Sequence, residues 1–238
     1  GPERQYGREA DMQACVDFFH TRNIPGLMHV LADKGKGKTR LLYEIAKELK
    51  KDNWNVLECS FLEGDVHPGT GMVTIAQQIE EQLKGNRRFF KLPAVQELIK
   101  FNHRSLSERL AMVNAGGFVD MMTNLFQQLE PEHLLVILDD IHWADSVSAS
   151  CAKELVQHYF RAAKGKNGGN RENVLIASRE GEGYEPLAFK QLVKALGASY
   201  GSAVTRRKLT KLNFKDEPAV PECSMVSVCD FVRDMLFN

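Results

Sequence analysis

The segment Ala32-Asp33-Lys34-Gly35-Lys36-Gly37-Lys38-Thr39 constrains this chain more than any other feature. It follows a continuous apolar run, Leu27 to Leu31, that reads as a buried strand. It precedes Leu41, Leu42, Ile45, Ala46 and Leu49, whose spacing builds one face of a helix. A chain that passes so abruptly from strand to helix needs unusual backbone angles, and Gly35 and Gly37 can adopt them. Successive backbone N–H groups of such a turn converge on one point, and the helix adds its positive N-terminal end there. The segment therefore reads as a cradle for an anion. The plain alternative is a lysine- and glycine-rich connector, and the strand-to-helix context argues against it.

The rest of the chain repeats the same alternation. Met12, Cys15, Val16 and Phe19 predict a first helix, and Asn55 to Phe61 predicts a second strand. Ile75, Ala76, Ile79 and Leu83 predict a helix, while Gly85 to Gly117 holds helical pieces without clear boundaries. Phe118, Met121, Met122, Leu125, Phe126 and Leu129 form another helix, broken by Pro131 before the strand Leu134 to Leu138. Ala152, Leu155, Val156 and Tyr159 continue as a helix capped by Asp145 or Ser146, and Lys164 to Glu172 reads as a surface loop. A fourth strand is expected at Val174 to Ala177, a helix from Pro186 to Leu196, and a fifth strand within Ala203 to Leu212. Alternating strands and helices of this kind build a parallel sheet covered on both faces.

The octapeptide fits the Walker A pattern with Ala32 in place of the first glycine. In that pattern Lys38 bridges the β- and γ-phosphates of a nucleotide and the Thr39 hydroxyl ligates magnesium. Lys34, Lys36 and Arg40 join Gly35 and Gly37 as nucleotide-side residues, although for Lys34 and Lys36 solvated loop cations that raise the local potential are the better reading. Leu134-Leu135-Val136-Ile137-Leu138-Asp139-Asp140 fits Walker B: a buried strand that delivers acids to its carboxyl end. Asp139 is expected to hold magnesium through water, and Asp140 to orient and deprotonate the attacking water. Two acids after an apolar run often only cap a helix, but their pairing with the upstream loop makes the functional reading stronger. The fold class expected is α/β: a three-layer P-loop nucleoside triphosphatase with a central five-stranded parallel sheet and helices on both faces.

Ile137 to Ser146, reading Ile-Leu-Asp-Asp-Ile-His-Trp-Ala-Asp-Ser, resembles the corresponding segment of STAND-type signalling ATPases and related AAA-like modules. Tyr6-Gly7-Arg8-Glu9 is similar to the opening of the same group, which implies contacts by Tyr6, Gly7 and Arg8 near adenine and ribose. Val174 to Arg179 resembles its sensor strand, implying that Arg179 reaches the γ-phosphate. The plain alternative is a strand-end arginine paired with a surface acid such as Glu180, and the sensor reading is preferred to it. The resemblance spans about Tyr6 to Leu212, so residues 3–213 are taken as the ATPase core. Residues 214–238, with prolines at 218 and 221 and a helix from about Ser224 to Phe237, are taken as a linker and the start of a helical lid cut short. His142, Trp143 and His67 are read as loop-packing residues rather than catalysts.

Composition narrows the partners. Lys plus Arg and Asp plus Glu each number 31, so no global field favours nucleic acid or an acidic membrane. No apolar stretch approaches the length of a membrane span, and no signal segment opens the chain. A cytoplasmic protein is expected, with nuclear residence also compatible. The five cysteines (Cys15, Cys59, Cys151, Cys223, Cys229) contain no CxxC pair and read as reduced thiols. Gly1-Pro2 reads as a protease-cleavage scar, so a piece of a longer protein is expected.

The function expected is a magnesium-dependent ATP-binding and hydrolysing switch, with ATP or ADP as ligand. Other domains of the longer protein, separate protein partners or self-association would complete it. Guanine reading needs a carboxylate where Thr210-Lys211-Leu212-Asn213 ends in asparagine, so ATP is preferred to GTP. The alternatives are a nucleotide-sensing scaffold with negligible hydrolysis, and a replication-initiator type of DNA-associated ATPase. Arg206 and Arg207 are arginine-finger candidates by residue type alone, and strand-edge charges are the simpler reading.

Overall fold

A computed structural model describes residues 8–21, 26–64, 67–129, 134–164, 173–179 and 186–209. Five strands, β1 (Gly26–Ala32), β2 (Asn55–Ser60), β3 (Leu134–Asp139), β4 (Asn173–Arg179) and β5 (Val204–Lys208), form one parallel sheet in the order β2-β3-β4-β1-β5. The fold is therefore the expected α/β arrangement. Helix α1 (Glu9–His20) precedes β1, and between the strands run α2 (Lys38–Lys51), α3 (Thr70–Lys84), α4 (Arg87–Phe90), α5 (Pro93–Asn102), α6 (Leu106–Asn114), α7 (Gly117–Gln128), α8 (Ser146–Lys164) and α9 (Leu187–Tyr200).

Successive side chains of a strand leave opposite faces of a sheet, and the buried residues sort accordingly. Leu134, Val136 and Leu138 pack with Val174 and Ile176 under α3 and α5–α9, while Leu135 and Ile137 pack with Met28, Val30 and Ala177 under α1 and α2. The first layer is the thicker. It includes the span from 85 to 117, where no boundaries were legible. Asn86 caps α4, Pro93 opens α5, and Ser105 with Glu108 makes a capping box at α6.

Strand β2 is an edge of the sheet, with one row of backbone groups facing away from β3. Two glutamines of α3 cover that row. Gln82 accepts from the Glu58 N–H at 2.8 Å and donates to its carbonyl at 2.7 Å; Gln78 does the same at Ser60, at 2.8 and 2.9 Å. The match is geometric. One helical turn advances about 6 Å over four residues, close to the ~6.7 Å that separates alternate residues of a strand. Each primary amide thus imitates the peptide group of a missing neighbour strand.

Other expectations shift in extent. Helix α8 begins at Ser146 and runs to Lys164, well beyond its expected apolar core, and β1 extends through Ala32, so the first residue of the octapeptide is still strand. Pro131, the loop at 165–172 and the segment 214–238 lie outside the described residues. Among the described residues no helix is long and apolar enough to cross a membrane. Cys15, Cys59 and Cys151 are free and buried, and burial pushes their thiols up to about 12, about 12 and about 11. His29, on β1, is fully buried. Burial first, and the Arg206 charge second, hold its imidazole down at about 3, so it is neutral near pH 7.

Candidate functional site

The carboxyl ends of β1 and β3 meet at one rim of the sheet, although β4 lies between them. At the end of β1 the chain turns through Asp33 to Gly37, closed by the Lys36 N–H donating to the Asp33 carbonyl at 3.3 Å. Gly35 and Gly37 have φ of +80° and +75°, a region that side chains other than glycine rarely enter. Helix α2 starts immediately after Gly37. No side chain caps its N-terminus and its first turn holds no acidic residue, so its positive end faces the loop without a counter-charge from its own first turn.

Lys38 and Thr39 carry this end of α2 to the acids of β3. The Lys38 ammonium is buried and paired with Asp139, and lies 2.8 Å from Asp140 Oδ1. Thr39 donates its hydroxyl to Asp139 Oδ2 at 3.1 Å. Asp140 sits just past the strand in a left-handed conformation, φ +53°, and its N–H donates to Asp139 Oδ1 at 2.7 Å. A non-glycine residue held there is strained, by about 1 kcal/mol or more, and the contacts of both carboxylates hold it in place. The structure thus gathers Lys38, Thr39, Asp139 and Asp140 from two segments far apart in sequence.

Behind the loop, Arg8 at the start of α1 donates through Nη2 to the Lys36 carbonyl at 2.8 Å and through Nη1 to Asp11 Oδ2 at 2.9 Å. Asp11 Oδ1 accepts from Arg207 of β5, Nη2 at 2.7 Å and Nε at 2.9 Å. Burial alone would raise the Asp11 carboxyl, but the two guanidinium groups outweigh it and hold the group below its ordinary value. Asp11 was not legible as a functional residue. Its only signal is a position three residues after Arg8.

Asp145, at the end of the same acidic segment, has a different environment. Its Oδ1 accepts from the N–H groups of Gly69, Val147 and Ser148 at 2.8, 3.0 and 2.9 Å. Its Oδ2 accepts from the Ser148 hydroxyl at 2.6 Å and the Gly71 N–H at 3.3 Å. One carboxylate therefore caps α8 and, across space, α3. Between the two cap candidates of α8, the structure selects Asp145. Burial pushes its pKa up, and the Ser148 and backbone hydrogen bonds bring it below the ordinary value.

The remaining expected residues divide. Arg179 ends β4 in register with Ala32, which puts its backbone on the same rim. Lys34 is exposed, Lys36 is paired with Asp33, and Arg40 is exposed with Nε 3.1 Å from Glu44. Tyr6 and Gly7 lie outside the described residues. His142 is a buried ring packed against Trp143, their centroids 4.9 Å apart, and Trp143 in turn packs on the larger core. His67 serves a turn, its carbonyl accepting from the Thr70 N–H and hydroxyl. Among the described residues no cluster of three or more His, Cys, Asp or Glu side chains could hold a metal. Thr39 and Asp139 do present two hard oxygen donors 3.1 Å apart. Magnesium favours hard oxygen ligands and keeps several waters, so a Thr39 hydroxyl with a carboxylate beside it to receive a bound water suits that ion.

Comparison with known proteins adds the family. The sequence profile described as "AAA ATPase domain" matches residues 4–168, more than half of the chain. Among solved structures, a DNA replication initiation factor superposes with a TM-score of 0.48 at 13% identity, covering 88% of this chain and 47% of that one. AMPPCP-bound DnaA from Aquifex aeolicus gives 0.44 at 12% identity, covering 86% and 46%. The flagellar accessory protein FlaH from Methanocaldococcus jannaschii gives 0.37 at 11%, covering 82% and 76%. The chain thus spans under half the length of the first two. No curated protein matches it at a significant level.

Proposed function

This chain belongs to the AAA ATPase domain family, and we propose that it is the magnesium-dependent, ATP-binding and slowly hydrolysing switch module of a larger STAND-type signalling protein. The observation that carries the reading is Lys38, held between Asp139 and Asp140 at the uncapped N-terminus of α2. A buried ammonium shared by two carboxylates is a partner that an incoming polyphosphate can claim. Its transfer to the β- and γ-phosphates frees both acids at the moment the nucleotide arrives.

Each residue then has a task. The N–H groups of the loop and the first turn of α2 receive the β-phosphate, and Lys38 spans to the γ-phosphate. Thr39 directly and Asp139 through water would hold magnesium, which would supply neutralisation of phosphate charge. Asp140 orients the attacking water and takes its proton, and Arg179 reports the presence of the γ-phosphate from the end of β4. The motif Asp-Asp-Ile-His-Trp-Ala-Asp-Ser supports the STAND assignment, and the balanced charge supports a protein partner over nucleic acid.

Calorimetric titration with ATP and with ADP, in the presence and absence of magnesium, tests the site. Lys38→Ala is expected to weaken ATP at least about a hundredfold, which is roughly 2.7 kcal/mol. Equal affinity in the variant would refute the assignment. Phosphate release then separates switch from scaffold: wild type turns over above background and Asp140→Asn does not, whereas equal release from both removes Asp140 from the chemistry.

A further inference from the structure

We propose that Arg8 is a positioning residue for the phosphate-binding loop, aimed by Asp11 and Arg207, and acts on the polyphosphate through the Lys36–Gly37 peptide rather than by touching adenine or ribose. The proposal rests on the nucleotide-site reading above and gives Arg8 a different role from the one the family resemblance implies.

The argument starts from peptide geometry. In a trans peptide the C=O and the following N–H point to opposite sides of the chain. Arg8 Nη2 holds the Lys36 carbonyl at 2.8 Å. The Gly37 N–H, in the same peptide plane, is therefore directed away from Arg8. Gly37 is the residue directly before α2, and its φ of +75° belongs to a conformation that an unrestrained glycine shares with many others. A guanidinium on the outer carbonyl removes that freedom. A donor already facing the anion adds affinity because its ordering cost is met before binding.

Arg8 is itself held. Its other terminal nitrogen meets Asp11, and the opposite oxygen of Asp11 is gripped by Arg207 through two nitrogens. Arg207 stands on β5 in register with Val30 of β1, two residues before the end of the strand that launches the loop. The chain of contacts thus runs from a strand hydrogen-bonded to β1, through α1, to the middle of the loop. Arg8 is largely buried, so its planar two-pronged reach is fixed rather than sampled.

The two roles for Arg8 differ in what they predict for inorganic pyrophosphate, which has no base or sugar. Arg8→Lys, Asp11→Asn and Arg207→Gln are to be titrated with pyrophosphate and with ADP by calorimetry. Positioning requires that Arg8→Lys and Asp11→Asn weaken both ligands by the same factor, about tenfold, with a smaller loss for Arg207→Gln. Asp11→Asn is the sharpest arm. It deletes a negative charge near an anion site, so electrostatics alone would tighten pyrophosphate binding, and weaker binding has the sign that only lost positioning gives. Loss of ADP affinity with pyrophosphate unchanged would overturn the proposal in favour of a base or ribose contact.

A second measurement needs no ligand. The backbone amides of Gly35 to Lys38 in nucleotide-free protein should show rigid order parameters, about 0.85, that fall below about 0.6 in Arg8→Lys and Asp11→Asn. Unchanged order would overturn the positioning role. If wild type bound neither ligand, the nucleotide-site reading would fall while this measurement still decided what Arg8 does to the loop.

Discussion

Helices α2 and α3 both follow a glycine in the left-handed region, Gly37 at φ +75° and Gly69 at φ +89°. At α3 the first-turn donors are occupied from a distance: Asp145 takes the Gly69 and Gly71 N–H groups, and the Ser148 hydroxyl takes that of Met72 at 3.0 Å. At α2 no side chain caps the helix, and the Asp139 and Asp140 carboxylates are engaged with the Lys38 ammonium instead. The same local structure therefore serves two ends. Where the protein supplies its own anion, the helix terminus joins layers of the fold. Where it supplies none to the amides, the terminus is open to a ligand. Three acids within seven residues divide along this line, Asp145 joining two helices and Asp139 with Asp140 holding the Lys38 ammonium.

The largest effect that would break this comparison is at Asp145. Asp145→Ala leaves four backbone donors and a hydroxyl without their acceptor and should lower unfolding free energy by about 3 kcal/mol. Urea denaturation measures it, and a loss under about 1 kcal/mol would show that the closed end of α3 is not a structural joint.

The two glycines near these termini come next. A Cβ at Gly71 would lie 2.9 Å from both Phe61 Cδ1 and Ser148 Oγ, whereas one at Gly37 would meet nothing within 4 Å. Gly71→Ala should therefore cost about 2 kcal/mol of stability by overpacking and leave nucleotide affinity nearly unchanged. Gly37→Ala should cost about 1 kcal/mol through its backbone angle and weaken ADP about tenfold. Paired denaturation and calorimetry read both, and an exchange of the two patterns would reverse the assignment of open and closed ends.

Acid provides a finer separation. His29 binds a proton more readily unfolded than folded, so its contribution is complete above about pH 6.5 and is lost as pH falls toward about 3. The slope approaches 1.4 kcal/mol per pH unit within that window. Asp145, with its pKa lowered, keeps its contribution down to about pH 4 and loses it only below. His29→Gln should flatten stability between pH 6 and pH 4.5 and leave the steeper fall at lower pH in place. Denaturant midpoints across that range check it, and an unchanged slope would dissociate His29 from acid sensitivity.

Much of this was legible from short-range pattern. The octapeptide's glycines, the apolar run before it and the amphipathic helix after it prescribe a strand, a left-handed turn and a helix terminus by local sterics alone. Leu134 to Asp140 likewise announces a buried strand that ends in acids. The span from 85 to 117 was harder because α4 to α6 are short, of 4, 10 and 9 residues, and give a helical period few repeats, although Ser105-Leu106-Ser107-Glu108 carried a readable capping box.

The amino-acid order by itself determined the alternation of strand and helix, the glycine turn into α2 and the acidic strand end, since each depends on neighbours within one or two turns of chain. Only the tertiary structure decided that Lys38 meets both acids, that Asp145 belongs to α3 as much as to α8, that Gln78 and Gln82 close the edge of β2, and that Arg8 faces the back of the loop. These are contacts between residues distant in sequence. Their geometry is set by strand order and helix packing, which no local spacing encodes.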